Sequence, residues 1–421
     1  MGKKHLIIGS GSAGLSALEE IRRINQEDEI KMVTMENCLP YSPTSLPYLL
    51  AERIKEKDLW ARDEAYFKDT NVIFSTGKRV IKIVPGEKRI VYHDGESESY
   101  DQLLVASGSK PIKPRIEGLN GHGVMSFHTL NDYHEIVGLL GSGSRVGILG
   151  AGLVGVEIAA ALSERGCSVK VLEKEDEVLP FTFDKPVTDY ISDVLSRNSI
   201  DIHTSKEVAE IKRKSNGLEI VCADGDGFYI DLVIICVGVA SRISMLEDSG
   251  IKTEKGIMVD KRMRTNIEGI YAAGDVAESE DFFNIQTGVN AIIPTAVSQG
   301  KIAGANMAGK EVLYKGWIPM NMFNFFGNLV GSIGLSRQQG SREVMEKLGS
   351  KRRSFRRFVF DGDRLIGVMF MNEALDPGVI RYLIEERTPI GSYKDLLFEK
   401  PKETSRWLML KREEEQSKYN T

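Results

Sequence analysis

Residues 5–23 read HLIIGSGSAGLSALEEIRR. The apolar run Leu6–Ile8 predicts a strand, and Leu15, Leu18 and Ile21 recur at helical spacing after it. Between them lies Gly9-Ser10-Gly11-Ser12-Ala13-Gly14. Gly9 permits a tight turn, Gly11 lets the backbone approach a pyrophosphate, and Gly14 lets helix and strand pack closely. The exposed N–H groups and the positive helix end can then hold phosphates. A second strand, IKMVTME, ends at Glu36, placed beside Asn37 to accept from ribose hydroxyls. Strand, glycine turn, helix, strand and acid in this order predict a dinucleotide-binding unit.

The pattern returns at RVGILGAGLVGVEIAAALSERGCSVKVLEKE. Gly150, Gly152 and Gly155 follow the strand Val146–Leu149, and Leu153 and Val154 open a helix of small residues. The next strand, SVKVLE, ends at Glu173. That carboxylate suits an adenosine ribose diol and opposes the 2′-phosphate of NADP. Like charges about 4 Å apart repel by roughly 4 kcal/mol at an effective dielectric near 20. NADH is therefore favoured, although Lys174 stands beside Glu173. A third signal, TNIEGIYAAGDVAES, delivers Gly274-Asp275 from an apolar strand to a loop, where the acid can accept from a sugar-alcohol hydroxyl.

The 421 residues exceed one ordinary domain, and a net charge of −5 gives no reason to expect nucleic acid. Cys38, Cys167, Cys222 and Cys236 lie far apart, without metal-ligand spacing, so a reducing cytoplasm is expected. The opening MGKKHLIIGSGSAG reads as a strand entering glycines rather than a signal peptide. No stretch reaches the roughly 18 apolar residues a membrane span requires.

Both glycine motifs, the Thr265–Asp275 segment and YDQLLVASGSKPIKP (100–114) resemble the pyridine nucleotide–disulfide oxidoreductase superfamily. The resemblance implies an α/β fold with two Rossmann-like domains, the NAD domain inserted in the FAD domain, plus an α+β C-terminal interface domain. It places the FAD-binding domain at 1–115 and 244–316, the NAD-binding domain at 116–243, and the interface domain at 317–421. It assigns Asp275 to the FAD ribityl chain, and adds Ala106, Gly108, Gly238, Thr295 and Ala296 to the cofactor sites. Pro294 is expected to break the chain and Thr295 to cap a helix running from Ala296 to about Met307, its positive end toward the flavin in the resemblance.

Residues 40–50, PYSPTSLPYLL, hold no cysteine. Leu46-Pro47-Tyr48 resembles the Leu-Pro-Tyr after the single thiol of coenzyme A disulfide reductases, which puts Thr44 at the thiol position. An alcohol cannot cycle through a disulfide. Cys38 follows Glu36 by two residues and is expected near the FAD ribose. All six histidines precede residue 204, so no C-terminal histidine can handle thiol protons. The same stretch resembles ferredoxin, rubredoxin and nitrite reductases, with Pro43 and Tyr48 in place of their arginine and lysine. Glu157 then matches the glutamate that pairs with that lysine near the flavin in those relatives; it is expected to contact the nicotinamide region, with Tyr48 as a hydrogen-bond partner, and the alternative is an ordinary first-turn glutamate. The segment and the C-terminal part also resemble the NADH-oxidising flavoprotein subunit of phenylglyoxylate dehydrogenases.

From Trp317 the chain reads as strands of a separate sheet with a D-G-D turn. Pro319 matches a flavin-covering run of the ferredoxin reductases, where Met320, Asn321 and Met322 replace aromatics. KLGSKRRSFRRF carries Lys347, Lys351, Arg352, Arg353, Arg356 and Arg357, and can be read either as a docking face for an acidic protein or as a solvated strand edge. The last segment is expected to begin helical near Trp407 and dissolve into a polar tail, or to contact another subunit. Together these readings predict an FAD enzyme that takes hydride from NADH and passes electrons to an external acceptor, an iron–sulfur protein or a partner subunit of a 2-oxoacid oxidoreductase. A homodimer or a hetero-oligomer is the expected assembly. One alternative is a single-thiol coenzyme A disulfide reductase, NADH oxidase or peroxidase using Cys38; another is a non-catalytic nucleotide-binding subunit.

Overall fold

Strands covered on both faces carry nearly continuous apolar sequence, and the chain builds two such sheets. The computed structural model describes residues 2–337, 342–350 and 353–419. It divides into two units, one of Met1–Ile112, His128–Leu130 and Gly238–Trp317, the other of Lys113–Phe127, Asn131–Val237 and Ile318–Thr421.

In the first unit Lys4–Ile8 is central. It pairs in parallel with Glu29–Val33 on one side and Gln102–Val105 on the other, and Val72–Ser75 and Ile270–Ala272 complete the five strands. Ile7, Ile30, Met32 and Leu104 point to the face covered by the helix Ser12–Ile24, while Leu6, Ile8, Val33 and Leu103 fill the opposite core. The expected apolar positions Leu15, Leu18 and Ile21 are all buried. A three-stranded antiparallel meander, Val80–Val84, Arg89–Tyr92 and Ser97–Ser99, precedes the strand that returns to the sheet.

The second unit repeats this plan. Arg145–Leu149 lies between Ser168–Leu172 and Leu232–Ile235, with Ile200–His203 and Val124–Ser126 outside them, all parallel. Its own meander, Val208–Lys214, Gly217–Cys222 and Gly227–Ile230, again precedes the returning strand. The repeat thus extends well beyond the two glycine motifs.

The C-terminal residues form a five-stranded antiparallel sheet with Arg364–Met371 at its centre. The Asp361-Gly362-Asp363 turn joins its last two strands, with Gly362 at φ +58°. The helix expected to dissolve after the Trp407 patch instead runs Pro401–Tyr419. Its tail, KREEEQSKY, is rich in residues of high helix propensity.

Three of the six cations of the basic run find partners within the unit. Arg356 is buried and donates to the carbonyl of Phe398 at 2.7 Å. Arg357 is buried between Asp184 and Glu346, and Lys347 pairs with Glu399 at 3.0 Å. These three cations serve packing and ion pairs rather than a free docking face; Lys351 and Arg352 lie outside the described residues.

Candidate functional site

In each unit the strand-to-helix glycines meet the same steric demands. A Cβ on Gly14 would sit 2.0 Å from the Gly9 carbonyl oxygen, and one on Gly155 would sit 2.0 Å from that of Gly150. Gly9 and Gly150 hold φ near +107° and +102°. Behind them stand the Ala106 and Cys236 carbonyls, 2.1 and 2.6 Å from an added Cβ. Gly108 and Gly238 occupy matching places two residues further, both at positive φ.

The middle glycines differ in kind. A Cβ on Gly11 or on Gly152 would meet nothing within 4 Å. Both residues cap helices, Ser12–Ile24 and Leu153–Glu164, and neither cap is satisfied by a side chain. Each loop therefore offers first-turn N–H donors, from Ser12, Ala13 and Gly14 or from Leu153, Val154 and Gly155, beside open space. Such a cradle fits a pyrophosphate.

In the first unit, Gly274, at φ +81°, lies against Ala13: a Cβ there would be 3.0 Å from that of Ala13. The buried Gln299 side chain fixes it by accepting from the Gly274 amide at 2.8 Å. Asp275 accepts one bond, from the Ser109 hydroxyl at 2.9 Å. Burial pushes its carboxyl above the usual range, and the Ser109 bond opposes that shift. The helix bearing Thr295 and Ala296 runs Ile293–Met307. It begins three residues earlier than expected, because Pro294 is tolerated in a first turn that needs no amide from it. Thr295 is thus inside the helix, accepting from Asn290 at 2.9 Å, rather than capping it. Gly300 and Gly304 press this helix backbone-to-backbone onto Ala13 and Ala17.

Glu36 accepts from the buried Tyr41 hydroxyl at 2.7 Å, and that hydroxyl accepts from the Leu130 amide at 2.8 Å. The Asn37 side chain abuts Gly77. Burial, with Glu36 nearby, raises the Tyr41 phenol far above its ordinary range, so it serves as a fixed donor. In the second unit, Glu173 is buried and accepts from the Ala151 amide at 2.7 Å and from that of Glu175 at 3.0 Å.

Thr44 is exposed in the turn Pro43–Ser45, 2.9 Å from the Ser42 hydroxyl. Tyr48 lies on the short helix Leu46–Leu50 with the Arg53 guanidinium 5.9 Å from its ring centre. Cys38 is half-buried; burial and the charges of Glu36 and Glu56 push its thiol up to about 11. Glu157 stands in the first two turns of its helix, and burial pushes its carboxyl up to about 7. Its carboxyl accepts no hydrogen bond among the described residues, and burial is the one cause of its shift.

His128 and Arg242, which carried no sequence signal, join the first-unit cluster with Tyr41 of the 40–50 segment and Ser109 of the 100–114 segment. His128 Nε2 lies 3.2 Å from the Ser109 carbonyl, and Arg242 donates to the same oxygen at 3.2 Å.

Two Rossmann units, each with an open glycine cradle and an acid after the next strand, define a flavoprotein oxidoreductase that works on a nicotinamide nucleotide. Residues 3–300 match the pyridine nucleotide-disulphide oxidoreductase family, and the chain belongs to it. It is an FAD-dependent NADH oxidoreductase. It is 31% identical over 410 residues to the NADH-dependent phenylglyoxylate dehydrogenase subunit epsilon of Aromatoleum evansii, covering 96% of this chain and 97% of that one. It is 33% identical over 318 residues to an NADH oxidase of Methanocaldococcus jannaschii, covering 73% and 71%. The fold also matches the reductase of a covalent putidaredoxin reductase–putidaredoxin complex, with a TM-score of 0.84, 22% identity, and 92% and 94% coverage. No helix among the described residues is long and apolar enough to cross a membrane.

Proposed function

We propose that this chain oxidises NADH and delivers the electrons to an external one-electron acceptor, an iron–sulfur protein or partner subunit, without a protein thiol between. When bound, FAD supplies the conversion between two-electron and one-electron transfer. The chain's own groups bind, orient and hold protons. In this reading the first cradle holds the FAD pyrophosphate, with Glu36 and Asp275 on its flanking sugars. The second cradle holds NADH, with Glu173 on the adenosine ribose. Glu157, with a carboxyl near neutrality, can hold or release a proton at the nicotinamide end at working pH.

The observation that carries the proposal is the segment 40–50. It holds no cysteine, the resemblance to single-thiol relatives puts Thr44 at the thiol position, and Cys38 is half-buried beside two carboxylates that oppose a thiolate. Near full-length similarity to a subunit of an NADH-dependent 2-oxoacid dehydrogenase supports a partner subunit as the acceptor.

The test is anaerobic turnover of NADH with an iron–sulfur ferredoxin, comparing wild type with Cys38→Ser. The expected result is ferredoxin reduction with the variant within about two-fold of wild type. Loss of turnover in C38S would make Cys38 the redox group and overturn the proposal.

A further inference from the structure

Arg242 is anchored at three points to the loop after Gln102–Val105. Its amide donates to the Gly108 carbonyl at 2.9 Å, its carbonyl accepts from the Ser107 hydroxyl at 2.9 Å, and its guanidinium donates to the Ser109 carbonyl at 3.2 Å. Its neighbour Ser241 donates to the Asp275 carbonyl at 2.8 Å, which binds the same segment to the Gly274-Asp275 loop. Both loops leave parallel strands of the same sheet, Gln102–Val105 beside Lys4–Ile8 and Ile270–Ala272 one strand further out, at the same strand ends as the Gly9–Gly14 cradle. The guanidinium therefore lies in the loop layer over the first dinucleotide site.

Its charge is unmatched there. Arg242 is only partly exposed and makes no ion pair among the described residues. The charges it feels are Arg79, which repels it, and Glu36, which attracts it. Glu36 is itself held by Tyr41. Burial and Arg79 both pull the guanidinium below its usual range. A half-buried cation without an anion is costly, and the guanidinium fork suits phosphate oxygens.

We infer that Arg242 binds the pyrophosphate of FAD, opposite the helix N-terminus that follows Gly11. In FAD the pyrophosphate joins the adenosine ribose to the ribityl chain, and Arg242 lies between the groups read as holding those two ends. It feels the charge of Glu36 on one side and shares Ser109 with Asp275 on the other. The inference rests on that reading of Glu36 and Asp275, not on the identity of the acceptor.

The experiment dilutes the holoprotein to nanomolar concentration and follows the rise of free flavin fluorescence, which gives the FAD dissociation constant. ADP and adenosine are then tested as competitors of FAD rebinding. Arg242→Ala should weaken FAD roughly 10- to 100-fold, the range of one charge-assisted bond to an ionised partner. It should weaken ADP in parallel and leave adenosine unchanged, and added NaCl should promote FAD release more in wild type than in the variant. Arg242→Lys, which keeps the charge without the fork, should fall between; Arg242→Gln carries the same test if the alanine variant does not fold. Glu36→Ala should weaken adenosine, which checks the assignment of the ribose end separately. FAD affinity within two-fold of wild type in R242A, or equal loss of ADP and adenosine, would overturn the inference.

Discussion

Glu157 offers the most direct pH test of the second site. Burial alone moves its carboxyl from an ordinary 4.5 to about 7, so the folded protein holds this proton where the unfolded chain has released it. Between those two values the native state binds more protons than the unfolded state, and stability falls as pH rises. A shift of about 2.5 units corresponds to about 3 kcal/mol, of which roughly 2–3 kcal/mol develops between pH 5 and pH 8. Glu157→Gln, neutral at every pH, lacks this penalty. The variant should therefore gain on wild type as pH rises, by roughly 2–3 kcal/mol at pH 8 relative to pH 5. Urea unfolding of the FAD-loaded protein, followed by a probe of the second unit and compared pairwise at each pH, reads that difference directly. A stability gap that stays constant across the range would show that the carboxyl is hydrated and titrates normally. It would also remove the basis for a proton-holding role at neutral pH.

Three further outcomes follow from the geometry. Gly155→Ala forces a Cβ to 2.0 Å from the Gly150 oxygen, so NADH affinity should fall at least ten-fold in titrations while FAD stays bound. Gly14→Ala, equally tight against Gly9, should instead yield protein purified with little flavin, as read from the visible spectrum. Arg357→Ala leaves Asp184 and Glu346 without their buried partner and should cost about 3 kcal/mol in chemical denaturation, whereas Arg337→Ala, whose side chain is 45% exposed, should cost under about 1 kcal/mol.

What the sequence revealed is what local chemistry dictates. Gly9, Gly14, Gly150 and Gly155 are required by contacts within about ten residues or by one neighbouring strand, so their spacing announces the fold. Asp275 was legible because a Gly-Asp pair directly ends an apolar strand there, in the pattern of the family. Tyr41, Ser109 and Arg242 are different: each makes a contact with a segment more than 60 residues away, and His128 with one 19 residues away. Nothing in the sequence near Arg242 shows that its guanidinium will meet the Ser109 carbonyl. The basic run misled for the same reason. Arg356 and Arg357 look like a surface patch until the partners Phe398, Asp184 and Glu346 arrive from distant segments.

The two acids that follow the second strands show how the same device can be set for different degrees of rigidity. A carboxylate offers about four acceptor positions on two oxygens. Glu173 gives one on each oxygen to a backbone amide, Ala151 and Glu175, which cannot rotate away. The remaining positions are thus aimed in advance, and a ribose diol can bind without first ordering the side chain. Because the Ala151 amide belongs to the glycine turn itself, moving Glu173 would also disturb the phosphate cradle. Glu36 is held instead by a side chain, Tyr41, which is tethered in turn to Leu130. That acid depends on a contact made across 89 residues of sequence. Tyr41→Phe should therefore weaken FAD while sparing NADH. Equal losses of both would mean that Tyr41 supports the fold generally rather than orienting Glu36.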